Sequence, residues 1–395
     1  MSNTSYDVII VGGGIIGCSI AYHLLVADSR LKVCVVEMDP SYSYASTTLS
    51  VANVRVQFTV QENIQISLYA LDFLERFGEE MAVGDEIPNV GFRHQGNLFL
   101  VDETEREHAG KRLALQKSLG CQVEWLSPAE IERRYPLYDA RGYAGGTFGI
   151  QDGTIDAYAV LMAYRAKARS LGAEFLHDEV VEILRHGSRI TGLRLASGGS
   201  LVSRIVVNCS GAWAAQVART AGVTLPVKPQ KCQVFVLDTE VKPDGALPLT
   251  ILPSGLCILD ETEGQILCLR SIEDSNQIDF TLERSRFTAG LWEELVQFVP
   301  AFDRLRLVQG WVGLFAMNTL DSNAILGQWP ELDGFFLACG FSGHGFQQSH
   351  AVGRYLAELI TGRTPTLDLS VFGPQRILEN RPILEGMAGG SSDHD

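Results

Sequence analysis

Asp7-Val8-Ile9-Ile10-Val11-Gly12-Gly13-Gly14-Ile15-Ile16-Gly17, followed twenty residues on by Glu37, is the stretch that decides the fold. The apolar run reads as a short buried strand, the glycines as a tight turn, and Ile15 to Val26, apolar on most faces, as a helix. Lys32 to Glu37 is a second strand, so the opening forms one βαβ unit. Gly12, Gly14 and Gly17 let backbone N–H groups and the positive helix end approach a pyrophosphate, and a carboxylate at Glu37 can accept hydrogen bonds from both ribose hydroxyls. A glycine turn alone is weak, since a tight strand-to-helix turn without a ligand looks the same. Its placement after a strand, with the acid at the right remove, favours a dinucleotide. That acid repels the ribose phosphate of NADP, and NAD and FAD remain open at this point.

Outward from this unit, 395 residues exceed what one hydrophobic core supports, so two domains are expected. With 46% hydrophobic and 20% charged residues the chain has the composition of a folded enzyme. A formal charge of −15 argues against nucleic acid and against a cationic membrane face. Its eight cysteines are scattered without metal-ligand spacing, so no metal is expected and a reducing, cytoplasmic setting fits. No basic leader precedes Val8 and no run reaches about 18 apolar residues, so neither a signal peptide nor a transmembrane segment is expected.

Further along, Glu62 to Glu80 shows helical spacing after an irregular Ser/Thr-rich stretch. Short strands and charged helices (Glu103 to Leu119, Pro128 to Arg134) mark a domain of different construction. Ala157 to Leu171 reads as a helix, Phe175 to Leu195 as a small antiparallel flap, and Ile205 to Cys209 as a return to the first domain. Alternating strands fill Pro226 to Leu314, with a helix around Arg284 to Phe298, and the last helix spans about Gln348 to Thr361. The expected division is a dinucleotide-binding domain from 1–88, 150–225 and 319–380, a second domain from 89–149 and 226–318, and a flexible tail, 381–395. The fold class is α/β, a Rossmann-type domain beside an α+β domain on a mostly antiparallel sheet.

Cys339-Gly340-Phe341-Ser342-Gly343-His344-Gly345-Phe346 is a second glycine-rich strand-to-helix turn. A helix N-terminus there sets positive dipole against an anionic ring, which a reduced flavin needs and NAD enzymes do not. This turn and the opening motif, with Asp152-Gly153-Thr154-Ile155-Asp156 and Asn208-Cys209-Ser210-Gly211-Ala212-Trp213 between them, resemble the D-amino acid oxidase-like flavoproteins, which include glycine and sarcosine oxidases. The stretch Leu49 to Leu68, with Asn53, Arg55, Gln57 and Phe58, resembles the FAD-dependent oxidoreductase domain-containing subgroup.

The resemblance implies FAD as cofactor and hydride transfer from the α-carbon of an amine or amino acid, D or N-substituted, to flavin N5. The resulting imine hydrolyses, and dioxygen or an unidentified carrier accepts the electrons. Such chemistry asks the protein for orientation more than for an acid or base. The resemblance assigns cofactor contacts to Gly12, Gly14, Ile15, Ile16, Gly17, Glu37, Ser46, Thr47, Val181, Ser210, Gly211, Trp213, Gly313, Gly340, Ser342, Gly343, His344, Gly345 and Phe346. Arg55 is the first candidate to anchor a substrate carboxylate, since guanidinium binds carboxylate bidentately; a pairing with Glu62 is the plain alternative. Arg93 is a weaker candidate, with a sheet ion pair as its alternative, and His344 can hydrogen-bond flavin or substrate. Phe315 and Met317 fall where the family lines its cavity.

Three departures from the sarcosine oxidase pattern stand out. Gly313 replaces the cysteine that bonds the flavin, so FAD is expected to be non-covalent. Gln347 replaces the lysine that holds the carboxylate. Cys268, flanked by Arg270, aligns with the oxygen-activating lysine, which points towards a dehydrogenase. Competing readings are a hydroxy-acid dehydrogenase with His344 as base, a flavin-containing assembly or binding protein without turnover, and an NAD-dependent dehydrogenase.

Overall fold

The computed structural model describes residues 4–261, 264–271 and 276–385. A six-stranded sheet runs in the order Ile325–Gln328, Phe335–Cys339, Val206–Asn208, Val8–Val11, Val33–Glu37, Glu174–His177. Its pairings are parallel except the first. Both of its faces are buried, which is why Val8–Val11 is all Val and Ile and its neighbours are mostly Val. Val8, Ile10 and Val35 face the helices Ile15–Ala27, Ala157–Ser170 and Gly345–Ile360, while Ile9, Val11 and Val36 enter a second core beneath a four-stranded sheet. That smaller sheet joins Thr4–Ser5, Ser200–Val202, Arg189–Leu195 and Val180–His186. Glu174–His177, expected in this flap, pairs instead with Val33–Glu37 as the parallel edge of the main sheet.

An eight-stranded sheet follows the order Leu305–Asn318, Val227–Thr239, Ile266–Ser271, Cys257–Asp260, Leu249–Ile251, Asn97–Val101, Gly145–Gly149, Val123–Leu126. Its pairings are antiparallel except Leu249–Ile251 on Asn97–Val101. Alternation along the strands gives it two apolar faces: Phe235, Ile258 and Cys268 pack under Phe287 and Phe298, whereas Val234, Leu267 and Leu269 look the other way. We propose the domain division given above on these two sheets.

Two boundaries differ from expectation. The last long helix starts at Gly345, three residues early, because Ser342 and Gly343 at φ 51° and 91° complete the turn before it. Ile383 and Glu385, expected in the tail, are held: Ile383 N donates to Asp321 Oδ2 at 3.2 Å, and Asn63 Nδ2 donates to Glu385 Oε2 at 2.7 Å. Residues 386–395 of that tail lie outside the described residues. Among the described residues, no helix is long and apolar enough to cross a membrane.

Candidate active site

The opening turn is built by exclusion of side chains. Gly12 sits at φ 97°, where a Cβ would stand 2.6 Å from the Cys209 carbonyl oxygen, and a Cβ on Gly17 would stand 2.0 Å from that of Gly12. The helix Ile15–Ala27 starts at Gly14 with no side-chain cap on that residue and no acid in its first turn, so its end stays open to an anion. Thr47 Oγ1 accepts from Ile15 N at 3.2 Å, and Ser46 Oγ donates to the Leu314 carbonyl at 2.7 Å, tying this loop to the eight-stranded sheet. Glu37 accepts from Gly13 N at 2.7 Å and Asp39 N at 2.8 Å. Burial pushes its carboxyl up, and these two N–H groups oppose the rise.

Between the two glycine turns lies a cavity of about 430 Å³. Gly12, Gly14, Ile15, Ile16, Glu37, Ser46, Thr47, Val181, Ser210, Gly211, Trp213, Phe315, Ser342, Gly343, Gly345 and Phe346 line it. Gly17, Gly313, Gly340 and His344 do not. Gly17 and Gly340 permit close packing behind the wall, and a Cβ on Gly313 would meet Leu49 at 3.4 Å. Sequence reasoning missed Tyr42, Tyr44, Asp178 and Gln216, loop and helix-flank residues with no periodic signal. The Tyr42 hydroxyl is buried without a partner, an orphan polar atom on the wall. An open helix start, a ribose-height carboxylate and side-chain-free turns fit an FAD dinucleotide. The helix Gly345–Ile360 likewise starts without a side-chain cap or acid.

Arg55 is not among the residues lining this cavity and packs instead against the first turn of the helix Gly345–Ile360. Its N–H donates to Gln347 Oε1 at 2.7 Å, and its guanidinium carbon lies 4.8 Å from the Phe58 ring centre and 5.9 Å from that of Phe99. The His344 ring meets Phe58 edge-on at 5.1 Å. Arg55 Nε and Gln347 Nε2 are both buried without partners, and among the described residues no carboxylate lies within 4 Å of Arg55, Glu62 included. Behind Arg55, the fully buried Asp152 accepts from Val56 N at 3.0 Å and Gln57 Nε2 at 3.3 Å. Burial lifts its carboxyl to about 7, against those hydrogen bonds and the pull of Arg55. Burial, with Arg55 nearby, drives His344 down to about 3, so it is neutral at physiological pH.

Other candidates are placed elsewhere. Arg93 pairs through its backbone with Thr154, and among the described residues forms no ion pair. Cys268, aligned above the cofactor, turns into the far-side core with Phe287 and Leu291, and Arg270 is paired with Glu294. Phe315 lines the cavity and Met317 does not.

Residues 7–359 match the family model described as FAD dependent oxidoreductase. The chain is 35% identical over 418 aligned positions to FAD-dependent oxidoreductase domain-containing protein 1 of Xenopus laevis, covering 96% of this chain and 84% of that one. Among solved structures it resembles L-proline dehydrogenase from P. horikoshii, with TM-score 0.86 and 26% identity over 97% of this chain and all of the other. Glycine oxidase from Geobacillus kaustophilus gives TM-score 0.81 and 25% identity over 94% of this chain and 98% of its own.

Proposed function

This chain belongs to the FAD dependent oxidoreductase family, and from that premise we propose that it oxidises the carbon–nitrogen bond of a small amino acid, D or N-substituted, releasing an imine that water hydrolyses. The observation that carries this reading is the pair of unpartnered buried donors, Arg55 Nε and Gln347 Nε2, joined through the Arg55 N–H to Gln347 hydrogen bond. Buried donors without partners cost about 1–3 kcal/mol each, and an incoming carboxylate would satisfy both. Bound non-covalently in the cavity, FAD supplies the acceptor for the substrate's hydride. Gly12, Gly14, Glu37, Ser46, Thr47 and the start of Gly345–Ile360 would hold it.

Within this scheme Arg55 binds and orients, Phe58 and Phe99 flank its guanidinium, and the surrounding apolar walls exclude water. No protein base is required if the amine arrives unprotonated. A hydroxy acid would need one, and His344, pushed down to about 3, is a poor match for a base working near neutrality. Dioxygen or another carrier then takes the electrons.

The test is anaerobic mixing of the FAD-loaded protein with D- and L-amino acids, N-methyl amino acids, simple amines and hydroxy acids while flavin absorbance is followed. Bleaching by amino acids is expected. Bleaching by hydroxy acids alone, or by nothing, would overturn the reading.

A further inference from the structure

The sheet face nearest Arg55 carries one continuous apolar row. Phe99 is in register with Ile251, Ile251 with Cys257, Cys257 with Leu269, Leu269 with Val234, and Val234 with Trp311. Register partners on neighbouring strands project to the same side, so these six side chains form a single band across six strands. Phe99, Ile251, Cys257 and Trp311 are only half-buried, although they lie on the sheet's inner face. The band begins at the anchor, with Phe99 5.9 Å from the Arg55 guanidinium carbon. The Cys257 thiol feels the same positive charge, which opposes the rise that burial imposes on it. At the other end, Trp311 Nε1 donates to the Leu49 carbonyl at 2.9 Å, which closes the band against the loop that carries Ser46 and Thr47.

We propose that this row is the subsite for the substrate's side chain, and that the chain acts on amino acids with aliphatic or aromatic side chains, with Cys257 near the middle of the subsite. The assignment rests on the reading of Arg55 as the carboxylate anchor. With the carboxylate at Arg55, the remainder of the substrate has apolar surface to lie on. A charged side chain laid on the row would lose its water and meet no counter-charge. None of the six residues offers an ionised group at neutral pH, since the Cys257 thiol is held up at about 11.

Cys257 also supplies a readout independent of turnover. Seven of the eight cysteines are buried and Cys257 is the half-buried one. Alkylation by N-ethylmaleimide, mapped to Cys257 by mass spectrometry in the FAD-loaded protein, should slow about tenfold with isocaproate at ten times its Kd. Glutarate at the same concentration should not slow it. Equal protection by glutarate, or none by either acid, overturns the subsite. Equal protection by isocaproamide and isocaproate would instead overturn the Arg55 anchor and leave the row standing, so the two readings fail separately. As a second measurement, Cys257→Phe should lower the ratio of flavin-reduction rates for D-leucine over D-alanine by about tenfold, because overfilling an apolar pocket discriminates by size. An unchanged ratio in protein with a wild-type flavin spectrum overturns the assignment.

Discussion

Replacing Arg55 by alanine tests the site most directly, because the structure supplies both the gain that would be lost and the cost to the fold. A carboxylate held by a guanidinium fork makes two charge-assisted hydrogen bonds, each about 1.5–3 kcal/mol. Their loss therefore weakens carboxylate binding by about 3–6 kcal/mol, or roughly two to four decades. The fold should suffer little. Asp152, the buried carboxyl that Arg55 pulls downward, already sits at about 7. Without the guanidinium it rises further and takes a proton, so no uncompensated charge is left inside. Each pKa unit of that rise costs about 1.4 kcal/mol. The assay is a titration with benzoate followed through the flavin spectrum, beside a thermal melt. Arg55→Lys keeps the charge but loses the fork, and should fall between wild type and alanine. A benzoate Kd for R55A within about threefold of wild type, some 0.6 kcal/mol, in protein with full FAD content would refute the anchor.

Gly17→Val should abolish FAD retention and lower the melting temperature, since even a Cβ would stand 2.0 Å from the Gly12 carbonyl oxygen; flavin fluorescence released on denaturation checks it. Stability should fall as pH drops from 6.5 to 5. His23, His344 and His350 are each held near 3, so the unfolded chain takes up those protons first, at about 2 kcal/mol per histidine over that interval. Asp152, raised to about 7, is protonated in the folded state across the same interval and offsets one of the three, leaving about 4 kcal/mol as an upper bound to be read from denaturant midpoints. Glu385→Ala should weaken benzoate binding by several-fold with FAD content intact, because Glu385 accepts from Val60 N at 3.3 Å and Thr59 Oγ1 at 2.8 Å, at the turn just after Phe58; unchanged binding would show that this wall holds without it. The alkaline rise of kcat/KM should shift with the amine pKa of each substrate; a limb fixed near neutrality for all substrates would point to a protein base instead.

The cofactor half of the molecule was legible because its determinants are local. Gly12, Gly14, Gly17 and Glu37 lie within one βαβ unit, and Gly12 and Gly17 each answer a steric demand that their place in the turn already states. The second turn was legible for the same reason, and only its helix start moved, from Gln348 to Gly345. Arg55 was singled out as a candidate through its residue type and position, but what surrounds it was not foreseen. Asp152 reaches Val56 across 96 residues, Gln347 reaches Arg55 across 292, and Glu385 reaches Thr59 across 326. Such contacts leave no periodic trace in the chain. The alignment that set Cys268 over the cofactor failed through strand parity, since a shift of one residue turns a side chain to the opposite face.

The titratable groups around the anchor share one feature that bears on mechanism. His344 is driven down to about 3, the Asp152 carboxyl up to about 7, and the Cys257 thiol up to about 11, in every case mainly by burial. Each shift favours the uncharged form. Arg55 resists the same burial because a guanidinium does not give up its proton in proteins, and Asp152 behind it steadies the charge. Arg55 is thus a fixed positive charge among buried groups that favour their uncharged forms, with Asp152 the one of them that titrates near neutrality and with the uncapped start of the helix Gly345–Ile360 close by. An arrangement of that kind selects an anion, strengthens its electrostatic grip by excluding water, and leaves proton removal to the substrate's own amine. On the proposed reading, these conditions favour hydride removal from the carbon beside an unprotonated amine, since His344 is too weak a base near neutrality to take a carbinol proton.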